Sequence, residues 1–383
     1  MKTLADLVEQ VEASGPDAGS GPSFQYIDAS SIDPRLKQVT APRMFTVADA
    51  PSRARQRVRP GDVLVSTVRP KINSVAQVGP QLQGAIASTG LCVLRPASGD
   101  LFSRYLYHWV RTPEFIAGMV RHTSGKDRAV TDRSIRESTI PLPPVAEQRR
   151  IANILDWADK LRVKRLRALE LLDELAASMF AGMFEQGREW PQAALADLVT
   201  EPLRAGATRS VTGRYSALVL TAAAITRGRF DATAVKEVEF DRPLDATRFV
   251  REDDLVICRR GRDRSMIGRA ELAPALTAVA LADTMSAARL DQDVVDLTYA
   301  RAAFNRPAVR WQLEPQITTS GSAKVGQDAL ERVLLPVPPR QAQRVFASRM
   351  AVLNGVLGPQ RRTAALLDDL FASLQSRAFS GEL

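Results

Sequence analysis

Clusters of arginine are the residues of this sequence whose type and spacing could do chemistry. In the first half, Arg53, Arg55, Arg57 and Arg59 alternate, so an extended segment would project all four on one side. Predicted loops in both halves add further cations: Lys37, Arg43, Arg69, Lys71, Lys126, Arg128, Arg227, Arg229, Arg259, Arg260, Arg262, Arg264 and Lys324. Such side chains bind phosphate oxygens and guanine edges, so the clusters indicate contact with nucleic acid.

The overall charge also favours a polyanionic partner. The chain has 52 basic and 43 acidic residues and a formal net charge of +9. The halves share this excess, with +5 on residues 1–191 and +4 on residues 192–383. Arginine supplies 44 of the 52 basic residues. Because a GC-rich genome also enriches arginine, a compositional origin of the charge stays open.

The sequence lacks the motifs of the common catalytic sites. It has neither a Gly-x-x-x-x-Gly-Lys-Ser/Thr phosphate loop nor a Gly-x-Ser-x-Gly elbow. The Asn/Asp-Pro-Pro-aromatic string of amino-group methyltransferases is also missing. Asp62 and Asp254 stand at equivalent turns before apolar strands, without the Glu-x-Lys partner of a nuclease. We therefore predict no catalytic residue in this chain.

Cysteine and histidine are too few for a structural metal site. The two cysteines, Cys92 and Cys258, lie in separate apolar runs, and His108 and His122 lack the spacing of zinc ligands. We predict two buried thiols, no metal and no disulfide.

Membrane segments are not expected either. No apolar run approaches the roughly 18 residues that a bilayer span needs, and Asp6 interrupts the first residues where a signal peptide would be apolar. We expect a cytoplasmic protein without membrane contact.

The two halves of the sequence repeat each other. Leu4-Ala5-Asp6-Leu7-Val8 recurs unchanged at 195–199, and Pro141-Leu142-Pro143-Pro144 followed by Gln148-Arg149 returns as Pro-Val-Pro-Pro at 336–339 followed by Gln-Arg at 343–344. Six colinear matches keep offsets between 191 and 196. The chain is therefore predicted to be a tandem duplication of one unit of about 190 residues.

Each repeat divides into a globular module and a long helix. The modules mix short apolar runs, predicted as strands at 63–68, 85–94, 216–221 and 255–258, with helices at 104–119 and 295–312. After each double proline, apolar residues follow a 3-then-4 spacing over about 40 residues, or about 60 Å of helix. Such helices exceed a module in length, so we predict that they pack on each other through Ile151, Ile154, Leu161, Leu172, Leu175, Phe346, Leu353, Leu366 and Leu370. Gly358-Pro359 predicts a kink or break in the second helix.

With these motifs the whole chain resembles the specificity subunits of type I restriction-modification systems. The similarity rests on Pro-Leu-Pro-Pro-Val-Ala-Glu-Gln-Arg-Arg-Ile at 141–151, its degraded copy at 336–345, and the long helix after each. It implies an α+β fold with two similar target recognition modules separated by two long helices packed as an antiparallel coiled coil. The corresponding segments are 1–142 (first module), 143–188 (first helix), 189–338 (second module) and 339–383 (second helix).

The resemblance also implies a function. Each module would read one half of a split target in double-stranded DNA, while the helices set the gap and dock methyltransferase (modification) subunits and, through them, restriction/translocase subunits. S-adenosylmethionine, ATP and Mg²⁺ would be bound by those partners and not by this chain. Two alternatives stay open: a self-contained nuclease or methyltransferase with unrecognised motifs, and a helical scaffold whose basic charge is compositional.

Overall fold

The computed structural model describes residues 1–16, 22–97, 99–121, 129–187, 189–210, 213–226, 228–262, 264–318 and 321–383. These residues form two compact units. The first unit joins Met1–Glu170 to the carboxyl-terminal segment Pro359–Leu383, and the second is Leu171–Gly358. Each unit therefore combines one module with parts of both long helices.

The first unit is built on two four-stranded sheets. Their orders are β6-β3-β10-β7 and β2-β11-β8-β9, and the pairs β1-β12 and β4-β5 are added. The strands are β1 (Lys2–Thr3), β2 (Val8–Glu9), β3 (Ser23–Ile27), β4 (Ile32–Asp33), β5 (Gln38–Val39), β6 (Arg43–Thr46), β7 (Ala54–Arg57), β8 (Val63–Ser66), β9 (Val75–Gln77), β10 (Ile86–Ser88), β11 (Leu91–Pro96) and β12 (Thr139–Ile140).

The helices of the first unit are α1 (Ser103–Trp109), α2 (Pro113–Arg121), α3 (Asp132–Arg136) and the first part of α4 (Val145–Phe184). The prediction of a single helix over 104–119 is therefore wrong. Pro113 begins a new helix because proline suits a first turn but not an interior, and Thr112 accepts a hydrogen bond from the Phe115 N–H at 3.2 Å. The strand predicted over 85–94 is likewise two strands, since a turn at Thr89-Gly90 separates β10 from β11.

The second unit has the corresponding elements. Its strands are β13 (Gln192–Ala194), β14 (Arg204–Ala205), β15 (Tyr215–Leu220), β16 (Val235–Phe240), β17 (Leu255–Cys258), β18 (Arg260–Gly261), β19 (Ala270–Leu272), β20 (Val279–Ala280), β21 (Met285–Ala288), β22 (Ala323–Lys324) and β23 (Leu334–Pro336). Its helices are α5 (Ala223–Thr226), α6 (Leu297–Phe304), α7 (Pro307–Arg310), α8 (Gln327–Glu331) and α9 (Arg340–Ser380), of which α9 enters the first unit at Pro359. Pro307 begins α7, so the helix predicted over 295–312 is also divided.

The strand orders of the two units match. The sheet β14-β21-β17-β19 repeats β2-β11-β8-β9, and β16-β15-β20 repeats β6-β3-β10. In the second pair of sheets, β3 is parallel to β10, as β15 is to β20. On their other side, β3 is antiparallel to β6, as β15 is to β16. The sequence repeat is therefore matched by a repeat of topology.

The central strand β8 separates two cores in the first unit. Val63 and Val65 pack in a cluster that includes Tyr105 of α1 and Leu155 of α4, while Leu64 packs in a second cluster on the opposite face. This alternation follows from the two-residue period of a strand. Because both faces are covered, all four residues of β8 are buried.

One buried glutamine joins each module to its helix. In the first unit, the Gln148 amide donates to the carbonyl oxygens of Asp100 and Pro143 at 2.7 and 2.8 Å and accepts from the Phe102 N–H at 2.8 Å. In the second, the Gln343 amide donates to Pro338 O at 2.8 Å and accepts from the Asp296 N–H at 2.7 Å. This explains the glutamine of the repeated proline motif, because a buried amide must find partners for its donors and acceptor.

Within each unit, α4 and α9 run antiparallel. In the first unit, Phe371 and Ala378 of α9 join the core cluster of Ile151 and Ala158, and Arg162 of α4 is ion-paired with Asp368. In the second, the Phe346 ring of α9 lies edge-on to Phe180 and Phe184 of α4, with centroids 5.5 and 5.6 Å apart.

Three of the predicted packing leucines point away from these contacts. Leu175, Leu366 and Leu370 are 48%, 68% and 45% exposed, so their assignment to the helix seam is wrong. The last part of α9 is instead buried at Ala364, Phe371, Gln375 and Ala378. That segment has apolar residues on more than one face, so spacing alone does not identify the packed face. Of the other predicted residues, Ile151, Phe346 and Leu353 are buried, while Ile154, Leu161 and Leu172 are half-buried.

The second long helix is not broken at Gly358-Pro359. α9 runs continuously over 41 residues with Pro359 inside it, so the predicted break is wrong, while a kink remains a prediction. Proline removes one hydrogen-bond donor, a small loss in a helix of this length. The Thr363 hydroxyl donates to Pro359 O at 3.0 Å in the following turn.

Candidate nucleic-acid interface

The candidate interface in each unit lies where two loops meet after the central strand. In the first unit, the Val130 N–H donates to Thr67 O at 2.8 Å, directly after β8. In the second, the Val325 N–H donates to Arg259 O at 2.9 Å, directly after β17. The two bonds are equivalent in the repeat. We call residues 67–73 the first loop and residues 259–268 the second loop.

The first loop holds its side chains outward through an uncommon backbone. Arg69 and Asn73 both have left-handed conformations, with φ of 51° and 50°, on either side of a short 3-10 helix at Pro70–Ile72. Non-glycine residues rarely adopt such φ values, and strained residues concentrate at functional sites. The exposed residues of this loop are Val68, Arg69, Lys71 and Ile72. This mixture of cations and apolar groups suits phosphates and base edges.

Of the four alternating arginines, Arg55 and Arg57 lie in the edge strand β7, and Arg53 and Arg59 flank it. Ala54 and Val58 are buried, while Arg53, Arg55 and Arg59 are exposed and Arg57 is half-buried. The strand β7 stands at the edge of its sheet. The predicted one-sided projection therefore agrees with the burial pattern of this segment.

Arg43 is exposed but partly neutralised. Its guanidinium is ion-paired with Asp28 and lies over the rings of Tyr26 and Phe45, 5.6 and 5.5 Å from their centroids. The stacked guanidinium is oriented by its neighbours, which costs less conformational entropy on binding than a free side chain.

Lys37 was expected to be a free cation of a loop, but its ammonium is bonded within the protein. Its Nζ donates to the Asn73 backbone oxygen at 2.5 Å and to Asn73 Oδ1 at 3.0 Å. Burial lowers the pKa of Lys37 to about 7, and the charges of Arg111 and Arg162 act in the same direction. A direct phosphate contact by Lys37 is therefore contradicted, because its ammonium already binds inside the protein.

The second loop places like charges side by side. Arg260 of β18 is directly opposite Lys324 of β22, an arrangement that repels unless an anion lies between the charges. Arg260 has a partner in Asp283 at 3.3 Å, and Arg264 has one in Glu314 at 3.1 Å. Lys324, Arg262 and Arg229 are exposed, and Arg259 is half-buried.

Arg310 is a residue of this interface that sequence reasoning missed. From α7 it donates to Ser265 O at 2.6 Å and to Ile267 O at 3.0 Å, so it holds the second loop by its carbonyls. Burial, followed by the charge of Arg269, lowers the pKa of Arg310 from its usual value. Its only sequence signal is an arginine beside Trp311, which by itself indicates no role.

Three predicted contact residues, Lys126, Arg128 and Arg227, lie outside the described residues. The first two precede Val130 in the sequence.

The buried carboxylates have structural partners. Asp62 accepts from Arg95 Nε and Nη2 at 2.8 and 2.7 Å, and Asp254 lies against Arg204 and, at 3.3 Å, Arg289. Within the described ranges, no three His, Cys, Asp or Glu side chains group as metal ligands, and no helix has the length and apolar character of a membrane span. These aspartates act as anchors of the turns before β8 and β17.

Comparison with known proteins finds similarity to specificity proteins of type I restriction-modification systems. The family model for the type I restriction modification DNA specificity domain matches residues 49–171. The type I restriction enzyme HindI specificity subunit of Haemophilus influenzae is 23% identical over 141 residues, which is 36% of this chain and 31% of that protein. The aligned segment thus spans about a third of the curated relative. The family-model match at residues 49–171 includes β7 to α3 and the first loop.

Solved structures extend the likeness to the full chain. A type I restriction-modification S subunit from M. genitalium is similar with a TM-score of 0.52 and 13% identity, over 99% of this chain and 95% of that one. The HsdS subunit of Thermoanaerobacter tengcongensis has a TM-score of 0.44 and 24% identity, over 100% and 96%. The first of these supports a shared mixed α and β fold with long helices.

Proposed function

We propose that this chain is a type I restriction-modification specificity subunit whose two units read the two halves of a split DNA target. The single observation that carries the proposal is the equivalence of the two loops. Each follows the central strand of its unit, each is bordered by a returning segment at Val130 or Val325, and each presents exposed cations. Two copies of one reading surface suit a target with two parts.

The long helices are proposed to set the gap between the half-sites. In this proposal α4 and α9 form an antiparallel coiled coil that separates the two modules. Half-sites on one face of DNA are about 34 Å apart per helical turn, and a stiff pair of helices selects one such spacing.

The helices are also proposed to dock methyltransferase subunits and, through them, restriction/translocase subunits. Large apolar side chains stand exposed on both: Trp157, Leu171, Leu175, Val352, Val356, Leu366 and Leu370. Exposed apolar groups of this size mark protein interfaces when they cluster. In this division of labour the chain is non-catalytic, and S-adenosylmethionine, ATP and Mg²⁺ are bound by the partner subunits in the cytoplasm.

The proposal is tested by the second loop. Replacing Arg260 and Arg262 with alanine should weaken binding of the assembled complex and relax its preference at one half-site only, by about 1–3 kcal/mol for each lost base contact. Lys236→Met, which removes an exposed lysine outside the loop, is the control. Competition binding with duplexes altered in one half-site or the other measures the effect, and an unchanged preference removes this loop from the interface.

The helical-scaffold alternative makes a different prediction. A scaffold whose charge is compositional binds all duplexes alike, and its binding disappears as salt approaches about 150 mM. The self-contained enzyme would methylate or cleave DNA as the purified chain alone. Both readings are checked with the same duplexes used for the loop variants.

A further inference from the structure

Each candidate DNA-contacting loop is bonded near its carboxyl-terminal end by a basic side chain from another part of the chain. In the first unit, the Lys37 ammonium bonds the backbone oxygen and the side-chain oxygen of Asn73, the last residue of the first loop. In the second unit, Arg310 bonds the carbonyls of Ser265 and Ile267, directly before Gly268. Asn73 and Gly268 are equivalent in the repeat, since both lie two residues before the strands β9 and β19.

Both loop ends have a left-handed backbone. Asn73 has φ of 50° and Gly268 has φ of 73°. Asparagine adopts this region more readily than other non-glycine residues, whereas Lys37, which is left-handed with φ of 56°, adopts it rarely. At Gly268 a side chain would also meet Leu313, with an added Cβ only 2.7 Å from Cδ1 of that leucine. A rare backbone of this kind persists only where surrounding contacts determine the conformation.

The two basic side chains come from different parts of the fold. Lys37 lies just before β5, and its own carbonyl accepts from the Tyr107 hydroxyl at 3.2 Å. Arg310 ends α7. The Asn73 amide additionally donates to Val110 O at 3.0 Å, which connects the first loop to the end of α1. The end of the loop is therefore held in both units, but by residues from different elements.

We infer that Lys37 and Arg310 are positioning residues that clamp the two DNA-reading loops, each acting on the half-site of its own unit without touching DNA. The inference rests on the proposed function. These side chains suit the role because an amine or a guanidinium donates to several carbonyl oxygens at once, and the hydrogen bonds of the charged guanidinium are stronger than neutral ones. A loop held in one conformation also loses less entropy when it binds.

The test uses the full chain assembled with its partner subunits and duplexes in which one half-site is scrambled. Lys37→Met should lower discrimination at the first unit's half-site about tenfold and leave the other half-site unchanged. Arg310→Met should do the reverse. Each variant thus controls for the other, and Arg310→Lys, which keeps one donor group, should recover part of the loss. A variant that discriminates at both half-sites like the wild type overturns the clamp.

Asn73→Gly keeps the test sharp where Lys37→Met lowers stability. Glycine adopts the left-handed backbone freely. It removes the side-chain oxygen that Lys37 binds and the amide that donates to Val110 O, but the backbone oxygen of residue 73 can still accept from Lys37. The first half-site should therefore lose part of the discrimination that Lys37→Met loses, with thermal unfolding measured on the same chain. Wild-type discrimination by the Asn73→Gly chain and by the Lys37→Met chain, both assayed below their unfolding temperatures, contradicts the inference.

The exposed arginines separate this inference from the proposed function. If Arg69→Ala and Arg262→Ala each alter one half-site while the clamp variants alter neither, only the clamp fails. If the exposed arginines also have no effect, the assignment of the loops to DNA fails with it.

Discussion

The junction between module and helix is alike in the two units, whereas the polar interior beside it is not. The Tyr105 hydroxyl donates to Pro141 O at 3.0 Å in the first unit, and Tyr299 donates to Pro336 O at 2.8 Å in the second. Together with Gln148 and Gln343, these bonds fix how the chain passes from strand to helix. The same residue types at the same places indicate that this junction is required by the fold.

The first unit has buried ionic contacts whose equivalents are missing from the described residues of the second. Arg111 and Asp159 form two hydrogen bonds of 2.8 Å, and Asp156 lies 2.6 Å from Arg104 and 2.7 Å from the His108 ring nitrogen. The equivalent residues of the second unit are Asn305, Asn354, Ala351, Thr298 and Ala302. None of these five can form an ion pair, so the ionic network is a property of one unit and not of the fold.

The largest effect is expected from breaking this network. Asp159→Ala leaves Arg111 buried without its counter-charge, which should lower the free energy of unfolding by about 3–5 kcal/mol. Asn354→Ala, at the equivalent and exposed position of the second unit, should change it by less than about 0.5 kcal/mol. Urea unfolding of the full chain measures both. Equal losses at the two sites contradict the comparison.

The shared junction predicts equal effects in the two units. Gln148→Leu and Gln343→Leu each leave several buried backbone groups without partners, so each should cost about 2–3 kcal/mol. Hydrogen exchange of the two units reports them separately. If one variant is tolerated and the other is not, the junction is not equivalent.

A further effect concerns pH. Burial lowers the pKa of His108 to about 4, from an ordinary value of 6.5. Between these values the unfolded chain takes up a proton that the folded chain does not, so the free energy of unfolding falls as the pH drops from 6.5 towards 4, by at most about 1.4 kcal/mol per pH unit. His108→Gln should flatten the profile in that window. An identical slope in wild type and variant would remove His108 as its cause.

Sequence patterns were sufficient for the large-scale organisation. The offsets of 191 to 196 correspond to matching strand orders, and the proline motifs correspond to the starts of α4 and α9. These features are local or repetitive, so a single sequence contains them. Proline chemistry also predicts the helix boundaries at Pro113 and Pro307, but each proline lies within a longer apolar run that favours one helix.

Features that depend on distant contacts were not predictable. The burial of Lys37 depends on Asn73 and Arg111, which are 36 and 74 positions away, and its charge alone suggested a surface role. Leu366 and Leu370 have the spacing of a packed helix face, but the packed face of this helix is a different one, which includes Phe371 and Ala378. Side-chain spacing gives the period of a helix but does not choose its packed face.

Mapping the methylated positions across the genome of a host that makes the complete complex tests the central proposal most directly. The account predicts a target in two short parts with a fixed gap, in which Arg262→Ala makes one part degenerate and leaves the gap unchanged. A single continuous motif, or a variant that relaxes both parts together, would contradict two equivalent reading units.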